Sequence, residues 1–155
     1  ISDTPTTPSI PVPDISKSLI FPATFTDTQK ASTKARIDQY IAEIKTDKLN
    51  FNAWIDLGIY RKNVADYQGA FEAWQYASAI QPTNSLPVLN IASLYGYDSR
   101  DIPKAEKYYA KALTIEPENE YGYFAGAMFY QEVMQNIPKA IAIVEQGIKI
   151  IPSSL

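Results

Sequence analysis

The chain has 155 residues, 46% hydrophobic and 20% charged, with 14 basic against 17 acidic side chains, a profile that fits one ordinary folded domain and excludes a disordered polyanion. It contains no histidine and no cysteine, which removes the usual neutral-pH general base, thiol nucleophiles, disulfides, and zinc or iron–sulfur ligation. The basic residues are scattered, so no patch stands ready to displace counterions from nucleic acid, and no apolar run reaches the ~18 residues of a membrane span.

Residues 1–25 form a Pro/Thr/Ser-rich arm, with Pro5, Pro8, Pro11, Pro13 and Pro22 favouring extended backbone over helix. Ile10, Val12, Ile15, Leu19, Ile20, Phe21 and Phe25 are unfavourable to leave in water, so part of the arm is expected to dock. The chain begins at Ile1 without a Met, as a processed chain or a fragment does. An arm of this kind ahead of a cysteine-free domain suits a stalk between an upstream anchor and an exported module; without an anchor the domain would be cytoplasmic.

Thr26 with Gln29 reads as a capping box, and Ile37, Tyr40, Ile41 and Ile44 recur at helical spacing, which predicts a helix over 27–46. Every later stretch also reads as helix, with turn signals at Asp66, Pro82, Asp98 to Asp101, Pro117, Asn136 and Pro152. No alternating strand pattern of useful length appears.

These signals are periodic. Pro82, Pro117 and Pro152 recur at a 35-residue step, as do Ala70, Ala105 and Ala140, Asp66, Asp101 and Asn136, and Trp74, Tyr109 and Val144. Ile102-Pro103-Lys104-Ala105 returns verbatim as Ile137-Pro138-Lys139-Ala140. In a helix-turn-helix unit, the Asp/Asn column caps the second helix and contributes ~1 kcal/mol at each position. Pro103 and Pro138 fall in the first turn, where a missing N–H is harmless. The alanines are small where paired helices approach, the Trp/Tyr/Val column fills the space beside them, and the prolines stop the helix.

Trp54, Leu57, Gly58, Ala70, Trp74, Ala77 and Pro82 resemble the tetratricopeptide repeat (TPR), whose pattern is an aromatic, Leu-Gly, Ala, aromatic, Ala and Pro at those intervals. A second unit follows in Val88, Ile91, Ala92, Tyr95, Ala105, Tyr109, Ala112 and Pro117, with one extra residue in its inter-helix loop. A third is similar through Tyr123, Ala127, Tyr130, Ala140, Val144, Gly147 and Pro152. Arg61 departs from an expected tyrosine, Gly126 from a leucine and Gly147 from an alanine. The resemblance implies an all-α fold in which antiparallel helix pairs stack as a right-handed superhelical solenoid. The repeats run over 51–84, 85–119 and 120–154, and the helix within 26–50 acts as a cap or degenerate half-repeat.

In that family the first helix of each pair lines a concave groove, which carries over here to Asn52, Ile55, Asp56, Ile59, Lys62 and Asn63 in the first repeat. The second contributes Leu86, Leu89, Asn90, Ser93 and Tyr97, and the third Tyr121, Phe124, Ala125, Met128, Gln131 and Glu132. The set is mostly apolar and lacks the cationic cluster of family members that grip a C-terminal carboxylate. It suits a peptide or protein segment inserting aliphatic anchors, with Asn90 bonding its backbone. The arm itself has the composition of such a ligand, so residues 1–25 are expected to lie along the domain and fill its own groove or a neighbour's. The blander alternative is that Ile55, Leu89, Phe124 and Met128 pack between helices.

Glu116, Glu118 and Glu120 precede and open a helix and read as caps. Lys104, Lys107 and Lys111 read as a solvated face. The function expected is a non-enzymatic protein-binding scaffold that needs no cofactor or metal. The alternatives are a self-associating module, for which Ile143, Ile150 and Ile151 are left poorly covered, or a regulatory domain of a larger protein, which an upstream segment could anchor to a membrane.

Overall fold

The structure, a computed structural model, describes residues 8–151. Pro5, Pro152 and the ends of the arm and of the last repeat lie outside the described residues. Every regular element described is helical: α1 (Asp27–Thr46), α2 (Phe51–Asn63), α3 (Tyr67–Ile80), α4 (Leu86–Ser93), α5 (Ile102–Ile115), α6 (Glu120–Met128) and α7 (Ile137–Ile150). Two π turns, Leu94–Asp98 and Phe129–Val133, extend α4 and α6. None of the described helices is long and apolar enough to cross a membrane.

The helix starts follow from side chains that accept from otherwise orphaned N–H groups. Thr26 and Gln29 form the reciprocal capping box at α1, with Gln29 Oε1 accepting from Thr26 N at 2.8 Å. Asp66, Asp101 and Asn136 accept from the N–H of Gly69, Lys104 and Lys139 at 2.9, 3.2 and 3.1 Å, so the periodic column is a column of caps. Immediately before each cap the backbone turns left-handed, at Ala65, Arg100 and Gln135, with φ of 62°, 55° and 51°. None of the three is glycine, so each turn carries steric strain that the cap and helix pair hold in place.

The extra residue expected in the second repeat's loop lies instead inside the helix. Ser99 N donates to Leu94 O at 2.9 Å, an i to i−5 bond that widens the last turn, and Met134 N to Phe129 O repeats it at 3.3 Å. The first pair has no such turn, and α2 ends at Asn63.

The helices gather into two compact units that divide between Gln81 and Pro82. In the first unit, α2 and α3 pack around Trp54, Leu57 and Trp74, all at most 1% exposed. Gly58 has no Cβ because the Trp74 indole lies on it, and that indole donates to Ile55 O at 3.0 Å. Ile37 and Ile44 of α1 are buried, and Tyr40 packs its ring on Tyr60 at 5.6 Å.

Arg61, the departure from the family tyrosine, is 2% exposed. Its guanidinium pairs with Asp66 and donates from Nη2 to Ile15 O at 2.9 Å, so a buried charge joins the α2–α3 turn to the arm. Lys17 reaches Glu72 of α3 at 3.0 Å. The described arm thus lies against α3 and the C-terminal end of α2. Ile10, Ile15, Leu19, Phe21 and Phe25 are half-buried, whereas Ile20 stands 87% exposed, against the expectation that it avoids water.

In the second unit, Val88, Leu89, Ala92, Ala105, Tyr109, Ala112 and Phe129 form one core cluster. The Tyr109 and Phe129 rings meet at 5.1 Å, and burial raises the Tyr109 pKa. Glu116 accepts from the N–H of buried Ser85 at 2.7 Å and from its hydroxyl, so this carboxylate caps α4 and not the helix that follows it in sequence. The alanine column is buried at Ala70, Ala105 and Ala140. The large apolar column holds at Trp74 and Tyr109 but fails at Val144, which is 41% exposed. No described helix lies over Val144 as α6 lies over Tyr109.

Candidate peptide-binding groove

Leu86, Leu89, Asn90 and Ser93 fall at i, i+3, i+4 and i+7 of α4, and Tyr121, Phe124, Ala125 and Met128 fall at the same spacing on α6. Such spacing puts each quartet on one helix face. In the second unit these faces bound a cavity of about 240 Å³ lined by Leu89, Asn90, Ser93 and Tyr97 from one side and Tyr121, Phe124, Ala125 and Met128 from the other. Tyr109 also lines it; register had placed that residue only in the core column, and nothing in the sequence marks its second role. Leu86 is exposed at the start of α4 and does not line this cavity.

Asn90, Ser93 and the Tyr97 hydroxyl make the wall more polar than expected from the sequence. The Tyr97 hydroxyl donates to Glu132 Oε2 at 3.1 Å, and burial together with this bond pushes its pKa up to about 12. A neutral phenol held by a carboxylate is a fixed polar point beside the apolar floor of Leu89. A cavity of this kind can accept an aliphatic or aromatic side chain and hydrogen-bond the backbone that carries it.

Gln131 does not join the others. It lines a separate cavity of about 230 Å³ with Ala127, Ile137, Ile141 and Val144.

In the first unit, Ile55 is 7% exposed and its carbonyl is taken by Trp74, while Asp56 lies near Tyr40 of α1, whose pKa is raised by burial and by this carboxylate. Both are used in packing the unit. Asn52 and Ile59 remain exposed. The arm makes its polar contacts with Arg61 and Glu72, and Ile10 to Asp14 border a cavity of about 330 Å³ with Glu72 and Gln75, so its observed place in this unit is along α3.

No protein-family model matches the chain. A 64-residue stretch is 33% identical to human Tetratricopeptide repeat protein 6, covering 41% of this chain and 12% of that protein. With the all-helical fold, this similarity supports a helical-repeat family.

Proposed function

We propose that the chain is a TPR-type protein, its helix pairs stacked as a solenoid, that acts as a non-catalytic scaffold and binds a polypeptide segment along the first helices of its pairs. The observation that carries this reading is the convergence of Leu89, Asn90, Ser93, Tyr97, Tyr121, Phe124 and Met128 on one cavity. Those residues were selected by repeat register alone. The ligand is an extended or helical segment that places one bulky apolar side chain against Leu89 and Tyr109 and bonds its backbone to Asn90. The similarity to a much longer TPR protein supports the same class of role, and the chain would then serve as one module of a larger assembly.

Leu89 is itself 3% exposed, so a charge there would unfold the unit and test nothing about binding. Ser93→Trp instead fills the cavity from a half-buried position. Peptides selected from a random library against the whole chain should carry an aliphatic or aromatic anchor and bind Ser93→Trp at least about tenfold more weakly, about 1.4 kcal/mol. Selected peptides that bind the variant and the parent equally would refute the groove.

A further inference from the structure

In the second unit, two successive pairs carry matching residues under different cover. On the α4–α5 pair, Leu89, Tyr109 and Ala112 are buried, and they share a core with Phe129 and Ala125 of the α6 segment. One 35-residue step later, Gly147 is still buried, but Phe124 and Val144 are exposed at 60% and 41%. What covers the first pair is a helix, and the second pair presents the same kind of face to solvent.

That face has an order of its own. Ile137, Ile141, Val144 and Ile148, all exposed, stand at steps of four, three and four along α7, which is the a/d spacing of a coiled-coil seam. Two cavities, of about 540 and 230 Å³, open along this seam and share Val144, with Tyr121 and Phe124 of α6 on the far side of the larger. The charged side chains among their lining residues are Glu120 and Glu145, both carboxylates.

We propose that this α6–α7 cleft is a second docking site, adjoining the groove through the shared Tyr121 and Phe124, for an amphipathic helix of another polypeptide with an aliphatic seam flanked by Lys or Arg. The aliphatic seam follows from the a/d spacing, and the basic flanks from the acidic rim. A second copy of this chain fits less well, because its own α6–α7 face presents the same carboxylates and no described basic residue lines either cavity to complement them. An anionic lipid surface is repelled by the same rim.

Two synthetic helical peptides test this on the whole chain, each with leucine at heptad a and d, one with lysine and the other with glutamate at e and g. By fluorescence anisotropy at low salt, the lysine peptide should bind at least about tenfold more tightly, with the difference shrinking as salt rises. Ile141→Glu with Ile148→Glu should abolish binding while circular dichroism stays unchanged, since both residues are exposed. Glu120→Lys with Glu145→Lys should invert the preference, and the groove variant Ser93→Trp should bind as the parent does. Equal binding of both peptides, or loss of binding in Ser93→Trp, would overturn the proposal. So would a dimer in sedimentation equilibrium that Ile141→Glu with Ile148→Glu dissociates, or tighter binding to phosphatidylserine vesicles than to the lysine peptide.

Discussion

Helices α3 and α7 are built to the same plan and end in different surroundings. Both start from a left-handed residue and a cap, Ala65 with Asp66 and Gln135 with Asn136, and both carry the small residue that lets a partner helix close in. Yet α3 buries Gly69, Ala70, Ala73, Trp74, Tyr76, Ala77 and Ile80, whereas α7 buries Ala140 and Gly147. A repeat motif therefore specifies where a helix starts and how it meets its partner within a pair. How much of its other surface is covered is a separate property, and substitutions at matched positions should expose the difference.

The largest contrast is expected in the bulky column. Trp74→Ala removes a fully buried ring together with its bond to Ile55 O and should cost about 3–5 kcal/mol in urea unfolding, whereas Val144→Ala, already half in water, should cost under about 1 kcal/mol. Comparable costs at both positions would mean that α7 is covered in solution.

The cap column comes next. Asp66→Ala leaves the Arg61 guanidinium buried without its carboxylate and should cost about 3 kcal/mol, the low end for a broken buried pair because Asp66 is itself partly exposed. Asn136→Ala should lose a cap alone, about 1 kcal/mol.

The two glycine departures should then differ in sign. A Cβ on Gly147 would stand 2.9 Å from Tyr123 Cγ, so Gly147→Ala should destabilise by about 1 kcal/mol after the helix-propensity gain is counted. On Gly126 the nearest atom is Ile143 Cγ2 at an ordinary 3.5 Å, and Gly126→Ala should stabilise by about 0.5–1 kcal/mol, read as a higher thermal midpoint.

The smallest effect belongs to the arm. Burial alone would raise the Glu72 pKa, but hydrogen bonds from Gln68 and Lys17 outweigh it and hold the carboxyl below its ordinary value of 4.5. A depressed folded-state pKa contributes stability above the unfolded value and loses it as pH falls through the folded one. Lys17→Ala should therefore cost under about 1 kcal/mol at neutral pH, and the gap from the parent should close below pH 4.5 as Glu72 protonates.

Much of this was legible in the residues. Caps, prolines and small residues act on local backbone, so Thr26 with Gln29 marks the start of α1 and Asp66, Asp101 and Asn136 mark the turns without reference to tertiary structure. Register along α4 and α6 also selected seven residues that meet in one cavity. What escaped was long-range or main-chain. Arg61 is anchored by the carbonyl of Ile15, a group common to every residue, and Glu116 serves a helix that begins 30 positions earlier at Leu86. The π turns depend on how α4 and α6 end, and Gln131, read onto the groove face by register, lines a separate cavity.

Both tryptophans of the chain, Trp54 and Trp74, lie in the unit that ends at Gln81, and both are shielded from water, while the second unit carries tyrosines and phenylalanines but no tryptophan. The molecule thus holds a built-in optical label on one half. Indole emission should shift to the red only when the Trp54–Trp74 core opens, and tyrosine emission and helical ellipticity also sense the other half. Divergence of these signals along one denaturation curve would give the two units separate midpoints without any added dye or engineered probe.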